Sequence, residues 1–472
     1  MTTAATEAIA RFAVESDLSG IDGEALRIAT RAFVDTVGVA IAGVPEVATT
    51  ALTAAMPAPV ALPGAGATLI ASGVQTSAAH AALVNATAGH ALDFDDHLND
   101  VNGHPSVVLV PPILAVCESR SLSGRQALEA YVVGHQVMCA ICAALPVRAH
   151  WTRGWHATGT VGVMAATAAC ARLLGLDVLR TRYALGIAAS LASGSRQNCG
   201  FTVKPLHAGM AASHAVLAAS LAENGYDADP EHLESDLGYF RVFGVDPDLG
   251  RIGPVLDERW TVTTRGLNVK SFPACYAVHP AARAASIIAA RGIDPDGIES
   301  VDVTVQPTGL TGPIHHRPTT GLQAKFSMEY TVAAALTGEA LSLRSFEDAA
   351  VARPQIQRLI PLVATHEADV PPIGPPEYGR WFSAVRVRLR DGAVLTERAD
   401  MPHGHSGSPL SDAELDAKFV ECAQTPGSAW DGRRLLRGIR GIDDRATLRG
   451  LFADALASRP IDPHPTPHQE ME

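Results

Sequence analysis

The sequence predicts a mainly α-helical protein, with a large all-helical domain built from both chain ends and a smaller α+β domain inserted between them. Three observations favour this fold class. Apolar residues recur at three- and four-residue spacing up to about residue 245, β-strand patterns appear only after about residue 265, and a helical pattern resumes after residue 402. A helical segment that returns after an α+β insertion predicts a discontinuous main domain.

Four segments of the first half carry the helical period. Residues 24–42, 75–88 and 124–144 place apolar residues on one helix face, and Ser123 is a candidate N-cap for the third. Residues 159–174 are rich in Gly, Ala and Thr. Because small side chains let helices approach closely, this segment predicts the interior of a helix bundle.

The inserted region contains strand patterns in addition to helical ones. Residues 300–305 (SVDVTV) alternate apolar and polar side chains, which is typical of a strand. Residues 384–389 and 394–397 flank Asp391-Gly392 and predict a hairpin with a type I′ turn. Helices are predicted at 280–290 and 325–336 between these strands.

These patterns divide the chain as follows: helical domain, first part, 1–266; α+β domain, 267–402; helical return segment, 403–458; disordered tail, 459–472. In the return segment, Ser411 and Glu414 form a capping box that opens a helix through Cys422. A last amphipathic helix is predicted over 444–457. The tail is rich in Pro and His, which favours disorder.

Composition narrows the class of protein. The chain has 472 residues, 47% of them hydrophobic, which excludes a disordered protein. Its 49 acidic and 37 basic residues give a net charge of −12, which argues against a nucleic-acid partner. The sequence predicts no membrane span and no signal peptide. Seven scattered cysteines are not a disulfide framework, so we expect a cytoplasmic protein, and Cys139 and Cys142 are interpreted as core residues.

Four clusters combine ionisable residues with Gly or Pro inside apolar sequence. Each alone has a structural explanation: a solvated loop, a histidine at a buried helix start, a lysine that reaches solvent, or an ordinary linker. Together they predict one pocket with two lysines, two histidines and an aspartate, suited to a small substrate with several carboxylates. The clusters are Asp93 to His97 with His104, the segment around His156, the segment from Lys204, and Lys270 to His279.

Known cofactor motifs do not account for these clusters. The sequence has no GxGxxG after a strand, no GxxxxGK[ST] loop and no GxSxG motif. It also has no three-cysteine cluster for an iron–sulfur centre. The sequence therefore disfavours metal chemistry of the aconitase type.

At these clusters the chain resembles the MmgE/PrpD family, which includes 2-methylcitrate dehydratase, cis-aconitate decarboxylase and iminodisuccinate epimerase. Six ordered segments carry the resemblance across nearly the whole chain: VDTVGVAIAG (34–43), GHALDFDDH with GHPS (89–106), WHATGTVG (155–162), KPLHAGMAA (204–212), KSFPACYAVHPA (270–281) and QAKFSMEY (323–330). The resemblance implies a helical domain from both chain ends, an inserted α+β lid, a homodimer, and a site without cofactor or metal in the cleft between domains.

Carried over residue by residue, the family's site falls on Asp93, His104, His156, Lys204 and Lys270, with Tyr330 contributed by the lid. We expect the first four to act in catalysis, and Lys270, Tyr330, Cys275 and His97 to bind substrate.

Three departures from the family pattern stand out. His97 replaces a Thr that many members have, and the segment from His97 to His104 is longer than in the decarboxylases. Cys275 stands where the decarboxylases have His, which argues against decarboxylation.

The leading functional hypothesis is a lyase of the 2-methylcitrate dehydratase type. In it, His104 and His156 form the acid/base pair, Asp93 orients one imidazole, and Lys204 and Lys270 hold carboxylates. An epimerase of a dicarboxylate such as iminodisuccinate is second, and a decarboxylase of the cis-aconitate type is third. A carboxylate-binding protein without catalysis is the alternative from another class. The sequence does not decide which histidine is the acid.

Overall fold

The computed structural model describes residues 4–57, 60–62 and 64–456, so the predicted disordered tail at 459–472 lies outside the described residues. The chain is mainly helical, as the sequence predicts. Its helices are α1 Ala5–Glu15, α2 Gly23–Ala42, α3 Val47–Ala55, α4 Ala78–Ala91, α5 Pro105–Arg120, α6 Gly124–Ala144, α7 Val147–Thr152, α8 Ala157–Thr160, α9 Gly162–Leu173, α10 Val178–Leu191, α11 Val203–Glu223, α12 Tyr239–Phe243, α13 Ile252–Leu256, α14 Thr261–Thr264, α15 His279–Ala289, α16 Gly321–Ala324, α17 Met328–Leu336, α18 Asp348–Val351, α19 Pro354–Leu359, α20 Asp412–Ala423 and α21 Gly432–Arg440.

The helical region packs around α4, α5, α6, α9 and α11. Small side chains make this possible, most clearly where α11 crosses α4. A Cβ atom on Gly209 would lie 2.1 Å from the Thr87 hydroxyl, so only glycine allows this approach. Ser123 caps α6 through a capping box, which confirms the predicted helix start.

Helix α6 lies inside the protein. Among the described residues it is the one unbroken helix long and apolar enough to cross a membrane, yet 89% of its apolar window is buried. The consecutive helices α2 and α3 pass the same test only as a pair bent by 75°. Cys139 and Cys142 are both buried on α6, in agreement with their interpretation as core residues.

The insertion contains a four-stranded sheet in the order β4-β3-β5-β6, and a separate two-stranded ribbon, β1-β2, precedes α4. The strands are β1 Ala67–Thr68, β2 Gln75–Thr76, β3 Ile298–Val305, β4 Val363–Glu367, β5 Ser383–Leu389 and β6 Val394–Ala399. Strands β3 and β4 are parallel, whereas β3–β5 and β5–β6 are antiparallel. The predicted strand at 300–305 and the predicted hairpin are thus confirmed.

The predicted type I′ turn of this hairpin is wrong. A type I′ turn needs positive φ at both central residues, but only Gly392 has one, at 90°. The Gly392 amide donates to the Leu389 carbonyl, and the Asp391 carboxylate accepts from the Ala393 amide. This side-chain hydrogen bond stabilises a longer connection with a single left-handed residue.

Two hydrophobic clusters correspond to the helical parts of the sequence and to the part with strand patterns. The larger takes residues from Ala5 to Val269 and again from Leu410 to Ala455. A second runs from Phe272 to Ala399, around β3, β5, α15 and α17. The division into domains at 267 and 402 stays a prediction, since separate apolar clusters do not by themselves define domains.

The return segment is partly as predicted. The capping box of Ser411 and Glu414 opens α20, which ends at Ala423 and packs against α2. The predicted helix at 444–457 is wrong for the described part of that segment, which contains only short 3₁₀ turns. The Leu448 amide donates to the Leu122 carbonyl instead of to its own helix, because the segment is pinned to the loop before α6.

Candidate active site

A cavity of about 590 Å³ lies between residues of the helical region and residues of the insertion. It is lined by six of the eight predicted site residues: Asp93, His97, His104, His156, Lys204 and Cys275. The other two, Lys270 and Tyr330, are not among its lining residues. The structure therefore brings most of the predicted site together although its segments are far apart in sequence.

Asp93 lies at the centre of the charged groups. It follows α4 in a left-handed backbone conformation with φ of 51°, which is uncommon for a residue other than glycine. Its carboxylate contacts the Lys204 amine at 3.0 Å and the Lys270 amine through the other oxygen. Burial alone would raise the pKa of Asp93, but the two lysines hold it well below its usual value. Asp93 is therefore an ionised group clamped between two amines.

Lys270, which we expect to bind substrate, lies behind Asp93 and does not line the cavity. Its side chain is fully buried, and its amine donates to the carbonyl oxygen of Asp93 at 2.8 Å as well as to the carboxylate. These bonds hold both the backbone and the side chain of Asp93. Lys270 thus supports Asp93 from behind, and Lys204 is the lysine that faces the cavity.

Tyr330 also departs from its predicted place. It is buried in the apolar cluster of the insertion, and its hydroxyl donates to the backbone carbonyl of Ser345. That bond holds the hydroxyl away from the cavity, so the prediction that Tyr330 contacts substrate does not fit this geometry. Phe326, four residues earlier, is the aromatic residue of this segment that lines the cavity, and its ring lies 5.3 Å from the Lys204 amine.

His104 lies closer to Asp95 than to Asp93, the residue expected to orient one of the two imidazoles. Its Nδ1 lies 3.0 Å from an Asp95 oxygen, whereas its Nε2 is 3.7 Å from Asp93. His104 is the N-cap residue of α5, so its position follows from the start of that helix. Burial lowers the pKa of His104 to about 4, with Asp95 partly offsetting the effect. Its imidazole is therefore uncharged in the empty site at neutral pH.

His90 is a residue that the sequence analysis missed. Its Nδ1 lies 2.9 Å from Asp95 Oδ2, so one carboxylate serves two imidazoles. Among the described residues, His90, Asp95 and His104 bring three potential metal-ligand atoms within 4.8 Å of one another. The hydrogen bond from His90 to Asp95 and the 3.0 Å contact between His104 and Asp95 account for this spacing without an ion, so we assign no metal here.

His156 is the N-cap residue of α8, which confirms the predicted position at a helix start. Its backbone amide donates to Gly194, and its Nδ1 lies 3.1 Å from Nδ1 of the half-buried His207 on α11. Burial and the nearby Lys204 hold the pKa of His156 well below its usual value. The cavity thus holds a second uncharged imidazole.

The two residues that depart from the family pattern both line the cavity. His97 stacks on Tyr276 with ring centroids 4.6 Å apart and 8° between the planes. Burial holds the pKa of His97 well below its usual value. Burial likewise raises the pKa of Cys275, so its side chain is an uncharged thiol. Neither adds charge to the site at neutral pH.

Two exposed arginines complete the lining and were missed by the sequence analysis. Arg148 follows the first residue of α7, and Arg380 comes from the insertion. Arg380 donates to Asn102 at 3.2 Å and to the Asn99 carbonyl, and the Trp381 indole donates to the Asn99 side chain at 3.3 Å. The insertion is therefore tied to the loop between His97 and His104. An arginine beside a tryptophan in irregular sequence was the only available signal.

The return segment supports the site through Lys418 on α20. Its amine donates to the carbonyls of Phe94 and Lys270, each at 2.9 Å, and lies 2.6 Å from an Asp35 oxygen. One side chain thereby fixes the loop that carries Asp93 and the segment that carries Lys270. The protein has four lysines in all, Lys204, Lys270, Lys325 and Lys418, and each is buried.

A second cavity, of about 880 Å³, shares Asp93, Lys204 and Phe326 with the first. It borders Lys325, whose amine is 3.9 Å from Glu46. Several carboxylates line it, including Glu347, Asp348 and Glu421. The first cavity is the better candidate for the active site, because it alone of the two holds both His104 and His156.

Comparison with known proteins identifies the family of the chain. The chain matches the MmgE/PrpD N-terminal domain over residues 7–251 and the MmgE/PrpD C-terminal domain over residues 272–439. It is 29% identical to human cis-aconitate decarboxylase over 376 residues, covering 77% of this chain and 76% of the relative.

Two further relatives carry the same name. Identity to the mouse cis-aconitate decarboxylase is 30% over 354 residues, 72% of this chain and 70% of the relative. Identity to a cis-aconitate decarboxylase of Aspergillus terreus is 26% over 394 residues, 77% of each chain. With both domains of the family matched over most of its length, this chain is a member of the MmgE/PrpD family.

Proposed function

We propose that the protein is a carboxy-lyase that decarboxylates a small unsaturated tricarboxylate, with cis-aconitate as the first substrate to test. The observation that carries this proposal is the cavity, which combines a buried ammonium group, two arginines at its exposed part and two uncharged imidazoles. The similarity to three cis-aconitate decarboxylases supports the same reaction. Decarboxylation thus moves ahead of dehydration, which was the leading hypothesis from sequence.

The substrate class follows from the charges. Lys204 lies in the buried part of the cavity, while Arg148 and Arg380 are exposed. Arginine binds a carboxylate through two parallel hydrogen bonds, whereas an ammonium group acts as a point charge. A substrate with several carboxylates can therefore be held at its outer end by arginine and at its reacting end near Lys204.

Decarboxylation needs few groups from the protein. The bond between the departing carboxylate and its carbon breaks, carbon dioxide leaves, and the electron pair moves into the adjacent double bond towards a remaining carboxylate. Lys204 stabilises that developing negative charge. A carbon then takes up one proton from an imidazole, so each turnover consumes one proton.

Substrate binding favours protonation of the His104 imidazole. His104 is uncharged in the empty site because burial lowers its pKa to about 4. A bound polyanion favours the charged imidazolium and raises that pKa again. The imidazole then becomes a proton donor only when a substrate is present.

Dehydration of a 2-methylcitrate-type substrate is the second candidate. It is favoured by Cys275, which lines the cavity where the decarboxylase pattern has a histidine. Loss of water needs the same imidazoles, one to remove a proton and one to protonate the departing hydroxyl.

Proton NMR in heavy water separates these reactions. The purified protein is incubated with cis-aconitate, citrate, 2-methylcitrate and iminodisuccinate in parallel. We expect only cis-aconitate to lose carbon dioxide, with one deuterium in the product. Loss of water from 2-methylcitrate, or deuterium exchange without any loss, would overturn the proposal in favour of a dehydratase or an epimerase.

A variant pair links the reaction to the cavity. His156→Gln is expected to remove turnover, whereas the same change at the exposed His366 should leave it within about twofold. Full turnover in His156→Gln with weakened substrate binding would show that His156 does not act as acid or base.

A further inference from the structure

Asp95 is fully buried and is shared by two imidazoles. Its Oδ2 lies 3.0 Å from Nδ1 of His104, and both of its oxygens lie within 3.0 Å of Nδ1 of His90. The rings of His90 and His104 meet edge to face with centroids 4.4 Å apart. The carboxylate is thus held from two directions and has little freedom to rotate.

The surroundings of the Asp95 carboxylate determine its protonation state. Burial alone would raise the pKa of Asp95, but the two histidines hold it well below its usual value, so the carboxylate is ionised. An ionised carboxylate only accepts hydrogen bonds. A facing Nδ1 without a hydrogen would place its lone pair against this negative charge at about 3 Å, so we infer a hydrogen on each facing Nδ1.

This requirement leaves Nε2 of His104 without a hydrogen in the uncharged ring. Nε2 lies 3.7 Å from Asp93 Oδ1, and His104 lines the cavity. Nε2 is therefore the atom of His104 that can exchange a proton on the Asp93 side of the ring, where Lys204 is also found.

We propose that Asp95, braced by His90, is a positioning residue that fixes the tautomer of His104, so that Nε2 takes up the catalytic proton and delivers it to the substrate carbon. The inference deepens the proposed function and rests on it for the identity of the proton acceptor. In the proton-transfer step, Nε2 binds one proton when the polyanion enters, the N–H bond breaks as the new C–H bond forms, and His104 returns to its uncharged state.

The charged groups around His104 are balanced for this role. Asp95 and Asp93 favour the imidazolium, whereas Lys204, Lys270 and burial oppose it. The other imidazoles nearby are those of His90, His97 and His156. Because these influences partly offset each other, the charge of a bound substrate can decide whether Nε2 carries a proton.

The first test reads the tautomer in the resting protein, without substrate. Nitrogen-15 NMR of histidine-labelled protein distinguishes a ring with hydrogen on Nδ1 from one with hydrogen on Nε2, and a His104→Gln sample assigns the signal. We expect hydrogen on Nδ1 of His104. Hydrogen on Nε2 would overturn the inference even if the protein decarboxylates cis-aconitate.

The second test compares Asp95→Asn with the matched control Asp96→Asn. Asp96 is the next residue and equally buried, but it contacts Ser106 and no imidazole. In Asp95→Asn we expect kcat to fall by about 10²–10⁴-fold with KM within about threefold, since substrate contacts are kept.

The pH profile distinguishes positioning from a general loss of structure. Removing the negative charge of Asp95 disfavours the imidazolium, so the alkaline limb of kcat should move to lower pH in Asp95→Asn. Asp96→Asn should keep the wild-type limb and kcat within about threefold. Equal losses in both variants, or an unmoved limb in Asp95→Asn, would contradict the proposal. A wild-type protein without any decarboxylation would instead refute the proposed function and leave the measured tautomer standing.

Discussion

The two walls of the candidate active site differ in kind. The wall from the helical region carries buried ionisable side chains, namely Asp93, His97, His104, His156 and Lys204. The wall from the insertion is formed mainly by uncharged groups, such as Tyr276, Gln306, Thr308 and Trp381, and its charged members Asp369 and Arg380 are exposed.

This difference reflects how each wall is supported. Buried charge is tolerated only where partners satisfy it, and Lys270, Asp95 and Lys418 provide such partners behind the helical wall. The charged members of the insertion wall, Asp369 and Arg380, are exposed to water and need no such support. We therefore expect changes to the buried ionisable groups of the helical wall to act on kcat and changes to the exposed groups of the insertion wall to act on KM. Three substitutions test this separation.

The largest effect is expected from Lys204→Met. The change removes the amine that faces the cavity, while Asp93 keeps Lys270 as a partner, so the fold should survive. Because Lys204 stabilises charge that develops during the reaction, kcat/KM should fall by about 10²–10³-fold, mostly in kcat. Steady-state kinetics on the substrate identified by NMR, together with Tm, measure both effects.

Lys325→Met is the matched control, since Lys325 is also a buried amine but borders only the second cavity of the two. It should cost less than about tenfold in kcat/KM. An equal loss in both variants would mean that burial of any amine, and not the position of Lys204, sustains activity.

An intermediate effect is expected from Arg380→Gln. This change keeps a hydrogen-bonding side chain but removes an exposed positive charge from the insertion wall. KM should rise about 3- to 10-fold with kcat nearly unchanged, since exposed charges interact weakly in water. The exposed Arg386 on β5 provides the control, because Arg386→Gln should leave both constants unchanged. A fall in kcat alone would break the proposed separation of the two walls.

The smallest effect is expected from Tyr330→Phe. The hydroxyl binds the Ser345 carbonyl inside the insertion, so kcat and KM should stay within about twofold. Loss of that hydrogen bond should lower the free energy of unfolding by about 1 kcal/mol, measured by urea denaturation. A tenfold rise in KM would instead restore the expectation that Tyr330 binds substrate.

Sequence reasoning located the motif residues better than it assigned their partners. Asp93, His104, His156 and Lys204 were predicted to share a pocket, and all four line the same cavity. Their contacts were harder to foresee, because Lys270 and Asp93 are 177 positions apart and nothing local indicates which atoms meet.

Irregular segments account for the other errors. Arg380 lies in a loop without any period that could place it, so its position in the cavity was not predicted. The apolar spacing at 444–457 resembles that of a helix, but the Leu448 amide donates its hydrogen bond to the Leu122 carbonyl. Long-range hydrogen bonds of this kind override local propensity.

The burial of all four lysines has a consequence for how the protein can be probed. Reagents that acylate amines react with accessible, unprotonated groups, and the folded protein offers them no exposed lysine side chain. The Asp93 carboxylate also raises the pKa of Lys204, which keeps that amine protonated and unreactive. The rate of lysine acylation, followed by mass spectrometry, therefore measures how often the site opens. Lys204 and Lys270 acquire label only when the cleft around Asp93 opens.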